Sequence, residues 1–128
     1  MRDFCVELAD APDGLARLGE LLGDAGVNIE GLCLVSHEGR ALVHFVVEDG
    51  ERARRALERS TVRISGESDV FVYDKDERRV TGKPGSFGAI CRALTEAGIR
   101  MTFGYPAEHN RFVFGVDDVA RARALLER

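Results

Sequence analysis

The chain lacks a long apolar run, a basic excess, paired-cysteine spacing and any nucleophile motif. Its longest apolar stretches are short, so nothing in it is expected to span a membrane. Met1 leads straight into a strand pattern, without the layout of a signal peptide. The net charge of −4 argues against a general nucleic-acid binder, which needs clustered Lys and Arg. Arg52, Arg54, Arg55 and Arg59 do cluster, but they alternate with acids and alanines on one predicted helix, as a solvated face does. Cys5, Cys33 and Cys91 show no C-x-x-C spacing and sit inside apolar patterns. An odd number of such residues points to a reducing, cytoplasmic setting and to small core side chains. There is no G-x-S-x-G, no P-loop and no G-x-G-x-x-G. Pro84-Gly85-Ser86-Phe87-Gly88 puts glycines near a helix start but lacks the lysine–hydroxyl ending of a phosphate loop. No cofactor is implied.

What the chain does have is a repeat. Pro12-Asp13-Gly14-Leu15 opens an amphipathic run that closes with Asp24-Ala25-Gly26-Val27-Asn28-Ile29. Seventy-two positions later Pro84-Gly85-Ser86-Phe87 opens another, closing with Glu96-Ala97-Gly98-Ile99-Arg100-Met101. Leu15, Leu18, Leu22 and Val27 map onto Phe87, Ile90, Leu94 and Ile99 without a gap, and Pro12, Leu22, Ala25 and Gly26 recur unchanged. Further on, Val47-Glu48-Asp49 matches Val116-Asp117-Asp118 at a spacing three residues shorter. A change of that kind is expected in a surface turn. Repeats are read first because they set the fold. Residues 1–66 form the first copy and 67–128 the second. Two halves of about 64 residues are each marginal alone, so a shared sheet or core is expected.

Local patterns give the elements. Asp3 to Leu8 alternates as a half-buried strand. A helix is expected from Gly14 to Ala25, with Leu15, Leu18, Leu22 and Ala25 on one stripe. Pro12 is tolerated near its start and Gly26 terminates it. Strands are expected at Val27–Ser36 and Ala41–Val47 around a His37–Arg40 turn, then a helix over Gly50–Arg59 and a strand over Thr61–Ser65. That order is βαββαβ, an α+β ferredoxin-like unit: an antiparallel sheet with both helices on one face. The second copy repeats it with strands at Asp69–Asp74, Ile99–Tyr105 and Arg111–Val116 and helices from Ser86 to Ala97 and from Val119 onward. It lacks a clear fourth strand, which leaves an edge to be paired or covered and points to a partner chain. Its first connector, Asp74 to Lys83, is longer and more polar than Ala9–Ala11, and is either a solvated loop or a ligand lid.

With these residues the chain resembles the ACT-domain family of small regulatory modules, in its stand-alone tandem form. The strand Phe4–Leu8, the Asp10–Leu15 turn into a helix and the Ala25–Ile29 turn out of it carry the resemblance. In the second copy Lys83–Phe87, Ala97-Gly98-Ile99 and Asn110–Asp118 do so. The resemblance implies a non-catalytic sensor that holds a free amino acid at the interface between two such units. Its contacts come from the loop before the first helix, that helix's N-terminus and the start of the second strand. On this carry-over the binding residues are Asp10, Ala11, Pro12, Asp13, Gly14, Leu15, Asn28 and Ile29, with a second site at Lys83, Pro84, Gly85, Ser86, Phe87, Arg100 and Met101. A helix N-terminus suits an α-carboxylate on its own account, through unpaired N–H groups and partial positive charge. Asp10, Asp13 and the Asn28 carbonyl are acceptors for an ammonium. Asp13 is alternatively a helix cap. Arg100 is either a bidentate carboxylate partner or a surface residue. The apolar wall, Leu15 and Ile29 or Phe87 and Met101, favours a medium or large uncharged side chain.

His37 and His109 fall in equivalent turns and, with Glu38 or Glu108, suggest at most an imagined metal site; no metal is expected. His44, between Val43 and Phe45, reads as a half-exposed strand residue. The expected partners are a small-molecule amino acid, a second copy of the chain in a homodimer or higher oligomer, and a regulated protein, with no nucleic acid and no membrane. Two other readings stay open: a small enzyme using His44, Asp10 and Cys33, and a structural assembly module with degenerate pockets.

Overall fold

The computed structural model describes residues 1–9 and 11–127. Asp10 and Arg128 lie outside the described residues, so the reading of Asp10 as an ammonium acceptor does too. The chain divides into two compact units, Met1–Ser68 and Asp69–Arg128.

The first unit runs β1 (Arg2–Leu8), α1 (Ala11–Asp24), β2 (Gly31–His37), β3 (Arg40–Val47), α2 (Gly50–Glu58) and β4 (Arg63–Asp69). Its strands lie in the order β4-β1-β3-β2. β1 and β2 both pair antiparallel with β3, with Phe4 opposite Phe45 and both Cys5 and Cys33 opposite His44. The alternation seen in the sequence sends Phe4, Val6, Val43 and Phe45 to one face, where Leu18 and Leu22 of α1 and Ala53 and Leu57 of α2 cover them. Burying each large apolar side chain contributes about 1.5–3 kcal/mol. This is the ferredoxin-like arrangement expected from the sequence.

The second unit runs β5 (Phe71–Asp74), α3 (Ser86–Glu96), β6 (Met101–Ala107), β7 (Arg111–Val116) and α4 (Val119–Leu126). Its strands lie in the order β6-β7-β5, and no strand follows α4 among the described residues. Phe71 pairs with Phe114 across β5 and β7, as Phe4 pairs with Phe45. Phe71, Tyr73, Leu94, Ile99, Phe114 and Ala122 form its core.

Matching glycines end α1 and α3. Gly26 and Gly98 have φ of +74° and +73°, where a side chain is strained. The Val27 N–H donates to the Leu22 carbonyl at 2.8 Å, and the Ile99 N–H donates to the Leu94 carbonyl at 2.9 Å. These bonds satisfy carbonyls the helix leaves open. The helix starts differ. α1 begins at Ala11, earlier than Gly14, so Pro12 is a first-turn residue that needs no N–H partner. Asp13 is therefore inside the first turn rather than at the cap, and it pairs with Arg17 at 2.9 Å. α3 begins only at Ser86, because Gly85 adopts φ +85° and turns the chain just before it.

Three further boundaries shift. β2 starts at Gly31, because Val27 is drawn into the core. β6 likewise starts at Met101 rather than Ile99, whose side chain is core. β4 starts at Arg63, because Ser60 forms a turn in which its hydroxyl donates to the Leu57 carbonyl and accepts from the Val62 N–H. The residues missing from the second copy are not missing from its hairpin turn. Glu38 and Gly39 make the first turn, with φ of +51° and +77°, whereas residues 108–110 make a longer second one. By register Val35 and Leu42 correspond to Ala107 and Arg111, so residues 36–41 are replaced by 108–110: the hairpin ends of both strands are shorter and the turn is one residue longer. The Asp74–Lys83 connector is ordered by its own bonds. The Val80 N–H donates to the Lys75 carbonyl at 2.9 Å, and the Asn110 amide donates to Asp76 at 3.1 Å. Asp76 also accepts from the Thr81 hydroxyl. These two side-chain bonds hold its carboxyl below the usual range. All three cysteines are free and half-buried. Among the described residues no helix is long and apolar enough to cross a membrane.

Candidate functional site

The N-terminal half of α1 borders a hollow of about 500 Å³. Glu7 and Leu8 from the end of β1, Asp13, Gly14 and Arg17 from α1, and Arg63 from β4 line it. Gly14 allows this helix to lie close on β1, since a Cβ there would stand 3.3 Å from the Leu8 Cβ. The hollow carries both charge signs. Asp13 pairs with Arg17, and Glu7 pairs with Arg40 at 2.7 Å. These are exposed pairs, which cost little to exchange for a ligand's charges. Of the neighbouring residues, Pro12 is exposed, Leu15 packs on the core and Ala11 opens the helix.

Asn28 and Ile29 are elsewhere in the same unit. Asn28 is exposed, donates its amide to Glu30, and lines a hollow of about 180 Å³ with Gly26, Glu48 and Asp49. Ile29 packs against the core. The strand register places the two sets at opposite ends. Leu8 stands opposite Ala41, whereas Gly31 stands opposite Val46. α1 runs between these ends, about 20 Å for 14 residues. Within this unit the structure groups Asp13 with Gly14, and Asn28 with Ile29, but not the two pairs together.

The second unit shows the same division. Lys83, Pro84, Gly85 and Ser86 line a hollow of about 440 Å³ beside α3, with Tyr73, Val80 and Ile90. Phe87 is half exposed and packs on Phe112, with ring centres 5.0 Å apart. Arg100 and Met101 are exposed at the far end, where the Arg100 N–H donates to Asp117 at 3.0 Å.

His37 is exposed, 3.6 Å from the Glu38 carboxylate, and His109 occupies a turn at φ +63°. Among the described residues no three His, Cys, Asp or Glu side chains stand close enough to hold a metal. His44 is better anchored than a surface histidine. Its Nδ1 lies 2.9 Å from a carboxylate oxygen of Asp3, which is 1% exposed. Cys5 and Cys33 flank it on the neighbouring strands. Sequence reasoning missed Asp3. The available signal was the two-residue alternation that puts Asp3 and Cys5 on one face, away from Phe4. Burial, then the charges of Asp3 and Glu7, push the Cys5 thiol up, opposite to the shift a nucleophile needs.

The architecture is thus two tandem ferredoxin-like units, the second without a fourth strand among the described residues. No family model matches the chain, and no curated protein does. Solved structures do match. A protein from Bacteroides thetaiotaomicron superposes with a TM-score of 0.78 at 18% identity, over 98% of this chain and 85% of that one. The regulatory subunit of aspartate kinase from Thermus thermophilus, in a ligand-free form, gives 0.64 at 17% identity over 98% and 87%. The corresponding subunit from Thermus flavus gives 0.69 at 15% identity over 98% and 88%. At such identities the likeness is one of fold.

Proposed function

We propose that the chain is a non-catalytic regulatory protein that binds a free amino acid beside the N-terminal half of α1. The observation that carries this reading is the mixed charge of the hollow of about 500 Å³. A zwitterion needs donors and acceptors a few ångströms apart. Arg17 and Arg63 serve its carboxylate, and Asp13 and Glu7 serve its ammonium. Asn28 and Ile29, with Arg100 and Met101, remain candidate contacts in this reading, and Lys83 to Phe87 stand at a separate hollow. Fold likeness to regulatory subunits of aspartate kinase supports a regulatory role. The edge strand β5, paired only with β7 among the described strands, supports assembly with a second copy or a regulated protein. The free thiols support a cytoplasmic setting.

A second reading, an enzyme, draws on the Asp3–His44 pair beside Cys5 and Cys33. It is the weaker one, since the raised Cys5 thiol is a poor nucleophile at neutral pH.

A thermal-shift screen across the twenty amino acids tests the proposal. One or a few should stabilise the chain, by about 2.7 kcal/mol at a hundredfold excess over Kd. Asp13→Ala should remove that shift. A flat screen, or an Asp13→Ala variant that binds as wild type does, sinks it.

A further inference from the structure

We propose that the second unit carries a separate binding site, in the hollow beside α3, for a small carboxylic acid with an apolar body. This inference stands apart from the amino-acid site on α1. The two hollows occupy the same place in the repeat. Asp13, Gly14, Arg17 and Leu21 line the first, and the residues seventy-two positions on, Gly85, Ser86, Ala89 and Ala93, line the second. The exchange removes a carboxylate, a guanidinium and a leucine side chain from the wall. In the first unit Val62 and Ile64, leading into and along β4, pack against the core. No strand follows α4 among the described residues, and Val80 and Leu126 border the hollow instead.

What remains is an apolar wall of Tyr73, Val80, Ile90, Ala93 and Leu126, with one cation at its mouth. Its volume of about 440 Å³ is that of a small-molecule site. Lys83 makes no ion pair or side-chain hydrogen bond among the described residues. Its position is fixed by its backbone, since the Lys83 N–H donates to the Val80 carbonyl at 3.0 Å and the Ser86 N–H donates to the Lys83 carbonyl at 3.2 Å. One turn therefore sets both Val80 of the wall and the backbone that carries the Lys83 side chain. No Asp or Glu lines the hollow. An amino acid's ammonium has no acceptor carboxylate there and is repelled by Lys83, whereas a monocarboxylate needs only Lys83 and Ser86.

Calorimetric titration and amide chemical-shift mapping of the whole chain with 4-methylpentanoate and 3-phenylpropionate test this. Saturable binding is expected, with shifts confined to β5, Val80–Ala93 and α4. The matching amides and phenylalanine should bind at least tenfold more weakly. Lys83→Gln should weaken the acids at least tenfold. Ala93→Leu, which restores the first unit's residue, should abolish binding without lowering the melting temperature. If that variant fails to fold, Ala89→Arg on the exposed side of α3 serves in its place. Asp13→Ala should leave acid binding unchanged, so this site and the α1 site fail separately. Absent saturation, shifts elsewhere, equal affinity for acid and amide, or unaltered binding in both the Lys83 and the hollow-filling variants overturns the proposal. So does a dimer that Ala93→Leu dissociates, which would make the hollow a seat for a second copy.

Discussion

On the sheet face turned away from the helices, the first unit sets Gly31 opposite Val46, and the second sets Phe103 opposite Gly115. Large and small have changed strands. The Phe103 ring covers Gly115 so closely that a Cβ there would lie 2.2 Å from a ring carbon. The polar row beside it has changed as well. Cys33 and His44 of the first unit correspond to Tyr105 and Val113 of the second, and the buried Asp3 corresponds to Val70. The helix side shows the same trend, with the Asp13–Arg17 pair replaced by Gly85 and Ala89. The lesson is that the duplicated framework constrains the helix-facing core tightly and its other surfaces loosely. Phe4, Phe45, Phe71 and Phe114 hold equivalent places, while residues outside that core differ in size and polarity.

The sharpest way to break this comparison is to truncate the shared core. Phe45→Ala and Phe114→Ala should each cost about 3–5 kcal/mol in urea denaturation. Both side chains are fully buried. A cost under about 1 kcal/mol for Phe114→Ala would mean that the three-stranded unit does not depend on a core of its own.

A smaller effect is expected at the exchanged pair. Gly115→Ala should cost about 1–3 kcal/mol through overpacking against Phe103. Adding Phe103→Leu should recover part of the loss in a double-mutant cycle. A neutral Gly115→Ala would show that the ring yields freely and that the two positions are not coupled.

The smallest expected effect concerns β4, which has no counterpart after α4 among the described residues. Arg54 on α2 donates to Glu67 on β4 at 2.9 Å, and that hydrogen bond holds the Glu67 carboxyl below its ordinary range. A depressed carboxyl stabilises the fold above the unfolded value, about 4.3. That contribution is lost as the pH falls through the lower folded value. The protection of α2 and β4 amides, corrected for their intrinsic exchange rates, should therefore fall on acidification, and Glu67→Gln should flatten the dependence. Identical pH profiles for Glu67→Gln and wild type would remove this link between α2 and β4.

Much of this was legible beforehand. The βαββαβ order, the lack of a strand after α4 among the described residues and the glycine stops at Gly26 and Gly98 follow from apolar periodicity and from glycine's access to positive φ. Both are properties of a few consecutive residues. The start of α1 was misread because Pro12 fits either side of a helix boundary, and only the chain's path from Leu8 selects one. The shortening does fall at the hairpin, but spacing counts residues without showing that the ends of both strands lose them while the turn gains one. Asp3 as the partner of His44 was hidden, although alternation put it on the right face.

The sequence by itself determined the repeat, the element order and which faces are apolar, because hydrophobic period and backbone stereochemistry act over one or two turns of chain. Only the tertiary structure decided which side chains meet. Strand register brought Asp3 to His44, and the packing of α1 on β1 and of α3 beside β5 shaped one charged hollow and one apolar one. Such meetings join residues dozens of positions apart, and no local pattern encodes the distance between them.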